Sequence, residues 1–221
     1  MENYMNDYLT IALPKGKLFT ISKNLLYRVG LSADHLSEKS RKLVIENKDL
    51  KVRFIIAKTS DVPTYVEYGA ADIGIIGKDV LLESQKDVYE ILDLGFGKCH
   101  LMMAVPQKEK RRRLLDYSYT RVATKYPHIA ESFFARQGMQ MEYIKLNGSI
   151  ELGPIVGLSE SIVDIVETGT TLAENDLEEI AHILDVSARL IVNRVSFKLK
   201  FHRINEIVNN LRPIIESGEI L

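Results

Sequence analysis

The chain has 221 residues, 46% hydrophobic and 27% charged, which is ordinary globular usage and excludes a disordered chain. Its 29 basic and 30 acidic side chains leave a net charge of -1, which excludes a broadly cationic nucleic-acid-wrapping surface but not a local anion pocket. A single cysteine, Cys99, excludes a disulfide framework and a cysteine-rich zinc site, and no apolar run nears the roughly 18 residues of a membrane span.

The first residues, MENYMNDYLTIALPKGK, carry neither a basic start nor a signal-type apolar stretch. A cytoplasmic protein with no membrane or nucleic-acid partner is therefore expected. Leu9 to Leu13 reads as a strand ending at the turn signal Pro14-Lys15-Gly16-Lys17. A helix follows from about Leu18 to Val29, with Leu18, Ile21, Leu25, Leu26 and Val29 near helical spacing and Gly30 closing it. Lys42 to Glu46 and Val52 to Ala57 read as strands. Asp61-Val62-Pro63 opens a short helix, since proline suits the first turn. Ala71 to Ile76 reads as a buried strand, and Gly77-Lys78-Asp79 turns out of it. Strand, loop and helix in alternation predict an α/β sheet with parallel strands.

A second unit begins near Cys99. His100–Val105, Arg121–Thr124, Met141–Lys145 and Ile162–Val166 read as strands, and Pro127 to Gly138 as a helix. Gly148 to Leu158 also reads as helical. Leu177 to Asn193 is ambiguous: its apolar residues fit a helix early and a strand later, Ala188–Asn193 being the clearer strand. Ser196 to about Ile215 reads as a last helix, broken or kinked at Pro213. Its Phe197, Phe201, Ile204, Ile207, Val208 and Leu211 are expected to pack on the first lobe. Asp72-Ile73 leads to Gly77 as Asp164-Ile165 leads to Gly169, a glycine five residues after each aspartate. This echo suggests two similar α/β lobes, each with a loop at the carboxyl end of a strand, where ligands of open α/β sheets bind. A cleft between the lobes would gather both loops.

The segment with the most chemistry runs from Asp164 through Glu167, Thr168, Gly169, Thr170 and Thr171. Hydroxyls around a glycine can cradle a phosphate, because the backbone approaches closely and the donors converge. The two carboxylates suit a sugar diol. Thr171 with Glu174 fits a capping box, placing a helix N-terminus at the loop. A strand followed by a polar capped turn is the plain structural alternative.

This segment resembles the phosphoribosyl-diphosphate loop of phosphoribosyltransferases. Further segments resemble one family, ATP phosphoribosyltransferase. They are Ala12–Leu18, Ser40–Leu43, Asp61–Asp79, Asp93–Cys99, Ala123–Pro127, Leu146–Leu152 and Ser187–Asn193, in order over about residues 9 to 197. The resemblance implies the first step of histidine biosynthesis: N1 of ATP attacks the anomeric carbon of phosphoribosyl diphosphate, and pyrophosphate leaves with Mg²⁺ bound. It implies that Glu167 to Thr171 hold the ribose 5-phosphate, and Asp164 or Glu167 the ribose hydroxyls. Lys15, Arg41 and Lys58 are the candidate catalytic cations facing the diphosphate. Gly16, Lys17, Asp61, Gly77, Lys78 and Glu151 join the candidate substrate-binding set, with no protein-held metal. The family commonly shows Arg at the positions of Lys17 and Lys58, and lysine keeps the charge but loses the bidentate fork.

Other residues carry weaker signals. The five histidines, at positions 35, 100, 128, 182 and 202, show no metal-ligand spacing. The basic run Lys108 to Arg113 reads more readily as a solvated loop than as an RNA contact. Cys99 has no adjacent base. Tyr65 and Tyr68 fit either core packing or adenine stacking.

The expected fold is a two-lobed α/β type II periplasmic-binding-protein-like architecture with an inter-lobe active-site cleft. Residues 1–97 plus 188–221 would form the ATP and diphosphate lobe, and 98–187 the phosphoribosyl-diphosphate lobe. A non-catalytic solute-binding or sensor module is the rival, and fold alone does not separate the two. A nucleotide-salvage phosphoribosyltransferase would share the loop but not the flanking segments. The length leaves no room for a regulatory domain, so the resemblance implies the short form of the family. That form works with a regulatory subunit resembling histidyl-tRNA synthetase, in a hetero-octamer, its catalytic subunit alone forming a homodimer.

Overall fold

The computed structural model describes residues 8–32, 36–37, 42–109 and 113–218. It divides into two compact units, one of residues 1–97 with 187–221 and one of residues 98–186. The first stretch contains β1 (Leu9–Pro14), α1 (Lys17–Arg28), β2 (Val44–Asn47), β3 (Val52–Ala57), α2 (Val62–Glu67), β4 (Ile73–Gly77), α3 (Lys78–Ser84) and β5 (Tyr89–Asp93). The second unit contains β6 (Cys99–Pro106), β7 (Arg121–Thr124), α4 (Pro127–Arg136), β8 (Glu142–Lys145), α5 (Leu152–Ile155), β9 (Ser161–Val166), α6 (Thr170–Glu174) and β10 (Leu177–Val186). The chain then returns to the first unit with β11 (Ala188–Val192), α7 (Arg194–Leu199) and α8 (Phe201–Glu216).

The first unit holds a six-stranded sheet in the order β2-β3-β1-β4-β11-β5. β3, β1 and β4 pair parallel with one another; β2 pairs antiparallel with β3, and β11 antiparallel with β4 and β5. The sheet is therefore mixed, not parallel throughout. All six residues of β1 are buried, as expected of a central strand covered on both faces. Leu25 and Leu26 of α1 and Ile204, Val208 and Leu211 of α8 cover one face, against Leu9, Ile11, Phe54 and Ile73. Val62 and Val66 of α2 cover the other, against Ala12, Ala57, Ile76 and Ile191.

The second unit holds a five-stranded sheet in the order β10-β6-β9-β7-β8, with β8, β7 and β9 parallel. Leu101, Met103, Val122 and Phe134 fill one face, and Met102, Ala123, Ile162 and Leu172 the other. The two sheets share a plan. The run β3-β1-β4-β11-β5 corresponds to β8-β7-β9-β6-β10, and each parallel strand of both runs feeds a helix. The sequence echo holds for the strands but not for its aspartates. Asp72 precedes β4 and is buried, whereas Asp164 lies within β9 and is half-buried.

Several elements differ from the sequence reading. Leu177 to Val186 is a strand throughout, not an early helix. The expected helix over Gly148–Leu158 shrinks to the four residues of α5. Gly153 explains this placement: a Cβ there would lie 2.8 Å from the Ala123 Cβ and 2.7 Å from the Ser159 Oγ. The segment is pressed onto β7 and turns away at Gly157. Pro213 breaks nothing and sits inside α8; the interruption falls at Lys200, between α7 and α8.

Lys200 is where the returning chain is locked. Its Nζ donates to the Asp72 carboxylate at 2.7 Å and to the Tyr8 carbonyl at 2.7 Å. Asp72 also accepts from the Thr10 N–H at 2.8 Å. Asn193 adds a second tie. Its Oδ1 caps α7 by accepting from the Val195 and Ser196 N–H groups, and its Nδ2 donates to the carbonyls of Val66 and Glu67.

The Asp72 side chain is only 6% exposed and that of Lys200 17%. Lys200→Met should therefore cost about 3–5 kcal/mol, because it strands a buried carboxylate. Urea unfolding measures this. A loss below about 1 kcal/mol would reduce the pair to an ordinary surface ion pair. At the start of β7, Arg121 holds Glu160 through Nη2 at 2.5 Å and the backbone N–H at 2.8 Å. The Arg121 hydrogen bond keeps the Glu160 carboxyl below its ordinary range. A depressed carboxylate stabilises the fold above its unfolded pKa and loses that contribution as pH falls through the folded one. Glu160→Gln should thus flatten the stability loss below about pH 4. An unchanged acid limb in pH-dependent melting would contradict this.

Candidate active site

In both units the loops that follow the parallel strands emerge at one sheet edge, because parallel neighbours share a direction. In the first unit, Pro14 is level with Ala57, so Lys15 and Lys58 leave the sheet side by side. The Lys15 N–H donates to the Ala57 carbonyl at 2.9 Å, and the Thr59 Oγ1 donates to the Lys15 carbonyl at 3.3 Å. Gly16 precedes α1 with φ +91°, and Lys17 is the first residue of that helix. Lys15, Lys17 and Lys58 are exposed. Neither Lys15 nor Lys58 has an ion-pair partner among the described residues. Asp61, also exposed, accepts from the Ser60 hydroxyl at 2.9 Å. Arg41 lies outside the described residues.

The end of β4 is arranged differently. Gly77 caps α3 and is buried. The Lys78 ammonium is bound to Glu90 at 2.5 Å, and the Lys78 backbone N–H donates to the Ser187 carbonyl. Arg189 reaches Glu90 at 3.5 Å and Asp93 at 2.8 Å, and Asp93 also accepts from the Ser187 hydroxyl. Lys78 thus belongs to an ion cluster with Arg189, unlike Lys15 and Lys58.

In the second unit, β9 delivers Asp164 near its end and then Glu167, Thr168 and Gly169 before α6 begins at Thr170. Asp164 accepts from the Ile165 N–H at 2.8 Å. Glu167, Thr168, Thr170 and Thr171 are exposed, and the Thr168 and Thr170 hydroxyls lie 3.1 Å apart. The expected capping box is absent. Gly169 caps α6 with φ +77° and no side-chain cap, so Thr171 sits inside the first turn. The left-handed backbone is why glycine stands there. The Thr171 carbonyl accepts from the Asn175 side chain at 2.8 Å. Glu151 caps α5, beyond the end of β8, half-buried.

Thr124 has a role that the sequence did not reveal. Fully buried at the end of β7, it donates from Oγ1 to the Val163 carbonyl at 2.7 Å and accepts from the Tyr126 N–H at 2.9 Å. It joins the end of β7 to Val163 of β9. A buried threonine inside a strand ordinarily reads as β-propensity, so spacing gave no signal. Tyr65 and Tyr68 are 38% and 78% exposed, so neither fills the core. Within the basic run, Arg113 pairs with Asp116 at 2.8 Å, and residues 110–112 lie outside the described set. No described group of three or more His, Cys, Asp or Glu is placed to hold a metal ion. No described helix is long and apolar enough to cross a membrane.

Thr124→Val keeps the shape but removes the hydroxyl that bonds the Val163 carbonyl and the Tyr126 N–H. It should cost about 1–3 kcal/mol, while Thr124→Ser retains most of the stability. Urea midpoints for the two variants decide this, and equal midpoints would remove the tie.

Comparison with known proteins separates the enzyme from the rival readings. The sequence pattern of the family described as HisG: ATP phosphoribosyltransferase matches residues 58–213. An ATP phosphoribosyltransferase of Desulfitobacterium hafniense (strain Y51) is 52% identical over 216 residues, covering 95% of this chain and 97% of the relative. A solved ATP phosphoribosyl transferase (HisG:HisZ) complex from Thermotoga maritima contains a chain matching with TM-score 0.81 at 33% identity, over 95% of this chain and 99% of that one. The substrate binding protein of an amino acid ABC transporter matches with TM-score 0.63 at 12% identity, over 96% of this chain and 95% of that one. That likeness shows the fold alone, the type II periplasmic-binding-protein class. The chain belongs to the ATP phosphoribosyltransferase family, pentosyltransferases of histidine biosynthesis, and is not a solute-binding module that shares its fold.

Proposed function

We propose that the chain joins N1 of ATP to C1 of the ribose of phosphoribosyl diphosphate, using the loop after β9 for the ribose phosphate and the cations after β1 and β3 for the diphosphate. The observation that carries this reading is the run Glu167–Thr171, its carboxylate and three hydroxyls exposed, following directly on a strand in a chain of this family. Thr168, Thr170 and Thr171 offer hydroxyls to the 5-phosphate, and Gly169 removes side-chain bulk. Asp164 or Glu167 accepts hydrogen bonds from the ribose hydroxyls.

The N1 lone pair forms the new bond to C1 as the bond from C1 to the diphosphate oxygen breaks. The leaving pyrophosphate takes that electron pair. Adenine N1 already holds a lone pair, so no general base is needed. Positive charge develops on the sugar and negative charge on the leaving group. Lys15 and Lys58, exposed side by side, answer the second, and Arg41 is the third candidate cation. Gly16, Lys17, Asp61, Gly77, Lys78 and Glu151 complete the proposed substrate contacts. For Lys78 this requires its ammonium to leave Glu90. Mg²⁺ enters with the diphosphate as part of the substrate.

The Thermotoga maritima chain was solved with a HisZ partner. By analogy, this chain acts with a regulatory subunit resembling histidyl-tRNA synthetase, in a hetero-octamer, its own subunits pairing as homodimers, in the cytoplasm. Asp164→Ala and Thr171→Ala should each weaken phosphoribosyl diphosphate by about 1.5–3 kcal/mol, the worth of a hydrogen bond to a charged group. The KM for ATP should stay near its original value. Steady-state kinetics with each substrate varied in turn test this. An unchanged KM for phosphoribosyl diphosphate in both variants would remove the loop from the site.

A further inference from the structure

We infer that Lys125 supplies the positive charge for the phosphate taken by the Glu167–Thr171 loop, an inference that rests on the phosphoribosyl reading of that loop. The loop has no cation of its own. Between Lys145 and Arg189 the sequence contains neither lysine nor arginine. It does contain Glu160, Asp164, Glu167, Glu174 and Asp176 around the loop. Helix α6 has only five residues, so few peptide dipoles sum at its start. A phosphate bound at this loop is favoured by a cation on a neighbouring strand.

The neighbour is β7. Thr124 is level with Val163, the last pair between β7 and β9, and Lys125 follows directly as β7 ends. The backbone there is held on both sides. Thr124 is hydrogen-bonded to Val163, and Tyr126, buried to 3% exposure, starts the turn into α4. The Lys125 ammonium lies 5.6 Å from the centre of the Tyr126 ring. Lys125 is exposed and has no carboxylate partner among the described residues. A compact ammonium on a flexible stem suits a point contact to a phosphate oxygen.

Other basic residues of this unit are placed less well. Arg121 lies at the opposite end of β7, bound to Glu160. Arg136 bonds Ser132 within α4. Lys145 ends β8, which β7 separates from β9. Lys98 is the nearest rival, because it precedes β6, whose His100 is level with Val166. The shared plan of the sheets adds support. Lys125 follows β7 as Lys15 follows β1, so each central strand ends in an exposed lysine before its helix.

The test is calorimetric binding of ribose 5-phosphate to the full chain, with kinetics in the presence of the regulatory subunit. Lys125→Met should weaken ribose 5-phosphate about tenfold to a hundredfold and raise the KM for phosphoribosyl diphosphate in parallel. The KM for ATP and the melting temperature should not move, and Lys125→Arg should restore most of the binding. If Lys125→Met binds normally while Thr171→Ala is weakened, the inference fails and the loop reading stands. If both bind normally, both fail. A loss produced by Lys98→Met and not by Lys125→Met would also overturn it.

Discussion

The loop edge of each unit depends on three parallel strands whose carboxyl ends must emerge together. In β3-β1-β4 and in β8-β7-β9, the hydrogen-bond register decides which loop residues become neighbours. Lys15 and Lys58 are far apart in sequence, yet the pairing of Pro14 with Ala57 brings them side by side. Thr124 does comparable work in the other unit, tying the end of β7 to Val163 of β9. A one-residue slip would exchange the side chains packed on the two covered faces and shift the loop residues out of register.

Charge is distributed to match. The chain is almost neutral overall, so anion binding cannot come from its global field. Lys15, Lys58 and Lys125 instead stand where strands end, and several acids elsewhere are paired. Asp72 is locked to Lys200, Glu160 to Arg121, and Glu90 to Lys78 and Arg189. Lys15 and Lys58 keep their charge available to a ligand, whereas Lys78 starts from an existing ion pair.

Much of this plan was legible in the sequence. The strands Val52–Ala57 and Arg121–Thr124 fell where β-branched runs met turn signals, and Pro63 marked the first turn of α2. The loop after β9 was legible because its small hydroxyl residues interrupt an apolar run. What misled had physical causes. Strand β10 carries irregularities between Glu179 and Ala181 and between His182 and Leu184. They break the two-residue alternation, so Leu177, Ile180, Ala181 and Leu184 fall at helical spacing. Pro213 looked like a helix stop, but Ile214 and Ile215 pack on the core and carry α8 past it. Gly153 and Pro154 left α5 at one turn because β7 lies too close for more. Thr124 and Lys200 were invisible as structural ties, since their partners are set by tertiary pairing and not by spacing.

The most direct measurement is product formation from ATP, phosphoribosyl diphosphate and Mg²⁺, by the chain alone and with a subunit resembling histidyl-tRNA synthetase. The account predicts N1-ribosylated ATP and pyrophosphate in equal amounts in at least the second case. Binding of a free amino acid with no turnover under either condition would contradict it.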